Sequence, residues 1–283
     1  MMHSLKFMMK YGSTGQEVRR LQRALKINVT GKFGRGTQQA LKEYQKSMGL
    51  VVDGIAGPST LSALGIEVLA GIDVSDYNRI FDWQAMYDHG VRWCYVKASE
   101  GTSHDQKKAH DHAKRARDVG MDVGFYHFSR PDTNIAQGMK DAQDEVGNLL
   151  DDLVGVPYTL SFCNDMEKGD EKRDEYNVRW TIEFARELNR QIGHTPLLYT
   201  AYWFVSGWYN DDELKDVVKT HKLWLADYDK DAGNPAETAP WDEWTFLQWT
   251  GFGYIPGSTG KIDLNWAAGG ALDKVRLHKP SVC

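Results

Sequence analysis

The residues best suited to chemistry in this 283-residue chain are two carboxylates, Asp165 and Glu167, in the string Asn164-Asp165-Met166-Glu167. An apolar, β-prone run at 158–164 leads into them, which places them at a strand end. Positions i and i+2 of a strand face the same way, about 6.6 Å apart. Carboxylates so placed repel, and the pKa of one member rises. A raised carboxyl stays protonated near neutral pH and can act as a general acid. Paired carboxylates among aromatic rings are the equipment of glycoside hydrolysis, with the rings offering flat faces to sugars.

The elements that must position this pair recur along the chain. Strand-like runs occur at 71–74, 93–98, 122–128, 158–164, 196–199, 222–226, 245–249 and 261–264. Helical periodicity fills 134–153 through Ile135, Met139, Ala142, Val146, Leu149 and Leu153, and 175–191 through Val178, Thr181, Ala185 and Leu188. Gly120 and Gly193 stand where C-caps belong. Alternating strands and helices predict an α/β fold with a parallel sheet. Eight strands predict closure into a TIM-like barrel, irregular because little helix fits after the sixth strand.

Polar residues mark nearly every strand end. Asp73 ends the first strand, and Glu100 follows the second. Tyr126 and His127 end the third, and Tyr199 ends the fifth. Asp227 and Tyr228 follow the sixth, Gln248 and Trp249 end the seventh, and Asp263 and Asn265 end the eighth. Chemistry in parallel barrels sits at the C-terminal strand ends. Asp73 and Asp263 would add negative charge beside the Asp165/Glu167 pair. Tyr126 and Trp249 are the better sugar-binding candidates, while most of the ten tryptophans are expected in the core.

Charge divides the chain. Residues 1–65 hold ten Lys/Arg against three acids, a net +7, whereas the remainder holds 24 against 36, a net −12. All ten tryptophans lie at position 83 or later. Two domains with different work follow: 1–65, a short link at 66–70, and 71–283. The basic part suggests an anionic polymer or envelope surface as partner. It carries Phe33 and Tyr44 but no nucleic-acid motif, so no nucleic-acid partner is expected.

An internal repeat runs through the basic segment at an offset of 23 residues: Val29-Thr30-Gly31 with Val52-Asp53-Gly54, Gly34 with Gly57, Thr37 with Thr60, Ala40-Leu41 with Ala63-Leu64. Each copy reads as a glycine turn opening a helix, with Thr37 or Ser59/Thr60 as cap. Val18, Leu21 and Leu25 form one helical face, and Ala40, Leu41, Tyr44 and Met48 another. Three short helices are expected.

No run approaches the ~18 apolar residues of a membrane span. The apolar tract beside Lys6 and Lys10 is too short for a secretory signal, so neither a signal peptide nor stable membrane insertion is expected. Cys94, Cys163 and Cys283 are odd in number and scattered, which favours free thiols. His110-Asp111-His112 lies on a polar helical stretch, expected to be solvated, without H-E-x-x-H or a cysteine-bearing ligand set. No metal or other cofactor is expected.

The strings GSTGQEVRRLQRAL, TGKFGRGTQQALKEYQ and GLVVDGIAGPSTLSALG resemble the peptidoglycan-binding domain of cell-wall hydrolases, over residues 11–65. GIDVSDYN, WCYVKASEGT, VGFYHFSRP, DME, LLYT, LWLADY, LQWTGFGYIPG and KIDLN, in that order, resemble the glycoside hydrolase family 25 muramidases over about 70–267. That resemblance implies a β/α barrel with several helices missing, and cleavage of the β-1,4 bond between N-acetylmuramic acid and N-acetylglucosamine. It implies Glu167 as general acid, Asp165 as its carboxylate partner, Asp73 and Asp263 as further cleft acids, and Tyr126 and Trp249 as substrate contacts. Glu100, Tyr199, Asp227 and Gln248 complete the expected substrate-binding set. Asp165 would either orient the substrate's acetamide as internal nucleophile or activate a water. The chain departs from the family at Phe162-Cys163-Asn164, at Leu247-Gln248-Trp249 in place of WQY, and at Ser99 in SEGT.

The pairing of anchor and muramidase is similar to that of bacteriophage endolysins. It implies a monomer that accumulates in the host cytoplasm before lysis and then acts in the periplasm or wall on bacterial peptidoglycan. Two other readings differ in class: a zinc peptidoglycan amidase, whose lysis EDTA would stop, and a glycan binder without turnover, which would release no new reducing ends.

Overall fold

The computed structural model describes residues 4–132, 139–167, 174–207, 218–228 and 238–282. Helices α1 (Gln16–Ala24), α2 (Arg35–Ser47) and α3 (Pro58–Ala63) form the N-terminal domain. Two glutamines hold it together at the period of the sequence repeat. The Gln22 side-chain amide donates to Thr30 Oγ1, Lys32 O and Thr37 Oγ1, each at 3.0 Å, and its Oε1 accepts from Thr30 N and Gly31 N. Gln45, 23 positions on, donates to Asp53 Oδ1, Ile55 O and Thr60 Oγ1 and accepts from Gly54 N at 2.9 Å. Each glutamine thus satisfies the buried backbone of one glycine turn. Thr37 and Thr60 receive these amides, while Gly34 and Gly57 take the N-cap positions without a side-chain cap. Of the expected faces, Val18, Leu21 and Leu41 are buried, but Met48 is exposed at the end of its helix.

The second domain is a closed barrel of eight strands: β1 Leu69–Val74, β2 Val91–Glu100, β3 Asp122–Phe128, β4 Cys163–Asp165, β5 Leu197–Ala201, β6 Lys222–Ala226, β7 Phe246–Gly253 and β8 Ile262–Ala267. Pairing of β1 with β2 and with β8 closes the ring. Seven strands run parallel, and β8 is antiparallel to both neighbours, so the all-parallel expectation fails at the last strand. The short β7–β8 connection explains this, because a hairpin reverses direction while a parallel return needs a long crossover. The run at 158–164 also divides. Pro157–Leu160 pairs outside the barrel with Arg276–Val282, leaving Cys163–Asp165 as the barrel strand.

Helices α4 (Trp83–His89), α5 (Ala109–Asp118), α6 (Lys140–Asp151), α7 (Asp174–Ile192), α8 (Tyr202–Gly207) and α9 (Ala271–Val275) accompany the strands. Of the expected helix at 134–153, Ile135 lies outside the described residues. Buried rings fill the lower barrel: Trp93 stacks on Phe246 at 4.3 Å between centroids, with Tyr95 and Trp224 edge-on or tilted beside them. Two strand glycines admit these rings. A Cβ on Gly71 would stand 2.1 Å from Trp93, and one on Gly124 2.5 Å from Tyr95.

The N-terminal domain packs on this lower end, opposite the C-terminal ends of the parallel strands. Gln16 donates to Trp244 O at 2.9 Å and accepts from Trp244 N at 2.8 Å. Arg20 bonds Gly269 O, pairs with Glu243 at 2.9 Å, and pairs with the buried Glu17 at 3.0 Å. Phe7 meets Trp266 edge-on at 5.6 Å, and one apolar core runs through both domains.

Candidate active site

A cavity of about 240 Å³ opens at the C-terminal ends of the seven parallel strands, where the antiparallel β8 begins. Its lining brings together Asp73 (β1), Tyr126 (β3), Asp165 (β4), Tyr199 (β5), Gln248 (β7) and Asp263 (β8). Glu167 joins them from just beyond β4, since the strand ends at Asp165. The i, i+2 relation therefore holds in sequence but not within one strand, and both carboxylates still reach the same cavity.

Asp73 is buried at the floor. Its Oδ2 accepts from Asn265 Nδ2 at 2.7 Å and from Gln248 Nε2 at 2.9 Å. Both amides are held in turn. Asn265 Oδ1 accepts from Trp224 Nε1 at 2.9 Å, and Gln248 Oε1 accepts from Tyr199 OH at 2.8 Å and from Tyr228 OH. The Trp224 indole can only donate, which fixes how the Asn265 amide faces, and the Gln248 amide is oriented by donating to Asp73 while the two hydroxyls donate to its oxygen.

Burial is the main force on the acids. It pushes Asp73 up to about 6, with Glu167's charge adding to the rise and the two amides and Asp263 opposing it. Asp263 is pushed to about 8, by burial first and then by Asp73 and Glu167; its carboxyl hydrogen-bonds Asp73. The two behave as a pair sharing a proton, as adjacent buried carboxyls must. Asp165 is raised well above the ordinary range by burial, then by Glu167 and Asp73, with Lys97 opposing. Its Oδ1 is buried without a hydrogen-bond partner among the described residues. Burial likewise lifts the Tyr126 and Tyr199 hydroxyls well above their usual range, so both remain donors.

Three expected site residues lie outside the lining. Glu100 pairs with Lys97 at 2.5 Å and with Arg130 at 2.5 Å, beside the cavity. Burial works against its charge, but these two cations outweigh that and lower its pKa. Asp227 is buried, with its backbone N–H on Gln248 O at 3.0 Å, and its neighbour Tyr228 takes the cavity position. Trp249 stacks on Trp266 at 6.1 Å and 13°, against the outer core. A register shift between Gln248 and Thr250 accompanies this turn away from Gln248's face.

Sequence reasoning missed Lys97, Trp224, Phe128 and Ser75, which also line the cavity. Lys97 had a signal: it is the one charged residue within the apolar run WCYVKA, and a lysine there needs a counter-charge. The solvated reading of the histidine pair holds for His110, which is exposed, and is corrected for His112. His110 bonds Asp152 O at 2.7 Å, while His112 is buried on the other side of α5 against Trp83.

A carboxylate-lined cavity at the C-terminal mouth of an eight-stranded β/α barrel fits a glycoside hydrolase. Residues 72–258 match Glycosyl hydrolases family 25, and the chain belongs to that family. Residues 14–64 match the putative peptidoglycan binding domain. Lysozyme M1 of Streptomyces globisporus is 24% identical over 235 residues, spanning 78% of this chain and 76% of that protein. The bacterial lysozyme from Streptomyces coelicolor shares the fold with a TM-score of 0.61 at 22% identity, covering 73% of this chain and 97% of that one. The catalytic domain of an endolysin from a bacteriophage of Listeria monocytogenes gives a TM-score of 0.58 at 23% identity, over 74% and 97%.

Proposed function

We propose that the chain is a muramidase that cleaves the β-1,4 bond from N-acetylmuramic acid to N-acetylglucosamine in peptidoglycan, held to the wall by its N-terminal domain. The observation that carries this reading is the convergence of Asp73, Asp165, Glu167 and Asp263 on one cavity. Glu167 is the general acid. It is half-buried and stands past the strand end, where a glycosidic oxygen can approach. It protonates that oxygen as the bond to the anomeric carbon breaks.

Asp165 supports the departing sugar. Its Oδ1 has no partner among the described residues, and the acetamide N–H of the substrate is a donor that would pair with it and favour its ionised form. The acetamide carbonyl oxygen then attacks the anomeric carbon, and Asp165 stabilises the positive charge that develops on the ring so formed. Glu167, now ionised, takes a proton from the water that reopens this ring, with net retention. Asp73 and Asp263 add negative potential beneath the oxocarbenium-like transition state. Tyr126, Tyr199 and Gln248 border the sugar. Glu100 acts one step removed, by holding Lys97 near Asp165.

We further propose an endolysin role: synthesis in the host cytoplasm, followed by action on the wall as a monomer. Cys94 and Cys163 are buried free thiols, which agrees with synthesis in a reducing compartment. The Glu167→Gln variant tests the core assignment. With circular dichroism unchanged, its turnover of purified peptidoglycan falls by about 10³-fold or more. Near wild-type turnover would remove Glu167 from the role.

A further inference from the structure

We infer a further glycan subsite on the rim of the cavity, formed by Tyr77, Phe252 and Lys261, that holds a sugar bearing an acidic peptide substituent. The inference rests on the muramidase reading and extends it outward along the polymer.

The rim is unusually exposed for its composition. Tyr77 is 88% exposed and Phe252 57%. Large aromatic rings left in water on a soluble enzyme mark places where something covers them. The rim is also built rather than loose. Ser75 N donates to Asn78 Oδ1 at 2.8 Å, closing the turn that carries Tyr77. Asp76 accepts from the backbone N–H groups of Lys107 and Lys108 at 3.0 and 2.8 Å, which anchors the turn to the start of α5. Asn78 reaches Lys261 O at 3.4 Å, and Arg79–Ile80 pair with Ser258–Thr259, joining the turn to the β7–β8 hairpin.

The rim is continuous with the cavity. Ser75 lines the cavity two residues before Tyr77. Gly251, one residue before Phe252, lies against the cavity acids: a Cβ there would stand 3.0 Å from Asp263 Oδ1 and 3.6 Å from Tyr228 OH. The missing side chain leaves the path from cavity to rim open. A glycan strand threaded through the cavity thus passes over aromatic faces, which suit the C–H faces of sugar rings. Lys261 adds the charge. Its Nζ lies 4.1 Å from the Phe252 ring centroid, and it makes no ion pair among the described residues. A cation so placed fits the carboxylates that stem peptides carry on the muramic sugar.

The test uses the full chain and two substrates, long glycan strands and a soluble tetrasaccharide, with reducing ends as readout. For the Tyr77→Ala/Phe252→Ala double variant, KM on long strands rises about tenfold, kcat stays within about twofold, and the tetrasaccharide is cleaved at close to the wild-type rate. Lys261→Gln raises KM about threefold on strands carrying stem peptides and leaves it unchanged on strands stripped of them. An unchanged KM on long strands, or an equal loss on both substrates, would overturn the subsite. Absence of turnover by the wild-type chain on either substrate would instead overturn the muramidase reading, and the subsite with it.

Discussion

Gln45 in the N-terminal domain and Asp165 in the barrel are both buried polar side chains, and the fold treats them in opposite ways. Gln45 meets four partners within 3.2 Å, and Gln22 repeats the arrangement 23 residues earlier. Asp165 is left with one oxygen unpartnered among the described residues, beside other acids. The first arrangement stabilises a small domain that has little core of its own. The second costs stability and stores potential for binding and charge stabilisation. The contrast separates a polar group that maintains structure from one held ready for a ligand.

Substitutions can break this contrast directly. Beyond the acid itself, the largest effect is expected at Asp165. Asp165→Asn keeps the shape but replaces one acceptor oxygen with a donor, so turnover falls about 10²- to 10³-fold while pull-down on purified walls is unchanged. The folded state should not suffer, because Oδ1 of the replaced carboxylate has no partner among the described residues. A drop in thermal stability matching the loss in rate would place Asp165 with Gln45 instead.

Gln45→Ala should do the reverse. It strands Gly54 N–H and Ile55 O, at a cost of about 2–4 kcal/mol read by thermal unfolding. Wall binding weakens accordingly, while cleavage of a soluble tetrasaccharide continues. Loss of tetrasaccharide cleavage would show that the anchor's folding supports the barrel mouth.

The smallest effect is one of pH. Asp263 stands near 8 in the folded chain against an ordinary 3.8, with burial the chief cause. A carboxyl raised on folding contributes stability fully present below about 4, and that contribution is lost as pH rises through about 8. Asp263→Asn removes the loss. Its melting temperature relative to wild type should therefore rise by a few degrees between pH 5 and pH 9. A difference independent of pH would mean that Asp263 is not held protonated beside Asp73.

Much of the barrel was legible because its strand ends carry unlike residues. Asp73, Tyr126, Tyr199 and Gln248 each follow apolar residues of a parallel strand, and strand period puts them on one rim, whereas Asp263 reaches that rim from the start of the antiparallel β8. The exceptions have local causes. Trp249 follows Gln248 in the strand, so with Gln248 facing the cavity alternation sends Trp249 to the outer core, which the expectation of a sugar contact overlooked. Glu100 ends a ten-residue strand that overhangs the barrel and pairs with His104–Asp105, and Arg130 draws its carboxylate aside. Lys97 was hidden within an apolar run, and only its need for a counter-charge marked it. The antiparallel β8 was legible only as a short connection. In the anchor, the 23-residue repeat showed the turns, but the two glutamines that bind them lie before each repeated string.

The central claim is that these carboxylates cleave the glycan rather than the peptide. Mass spectrometry of the products released from defined peptidoglycan by the wild-type chain, with Glu167→Gln as control, tests it most directly. The account predicts disaccharide muropeptides ending in reducing N-acetylmuramic acid, absent from the control digest. Free stem peptides without new reducing ends would contradict it.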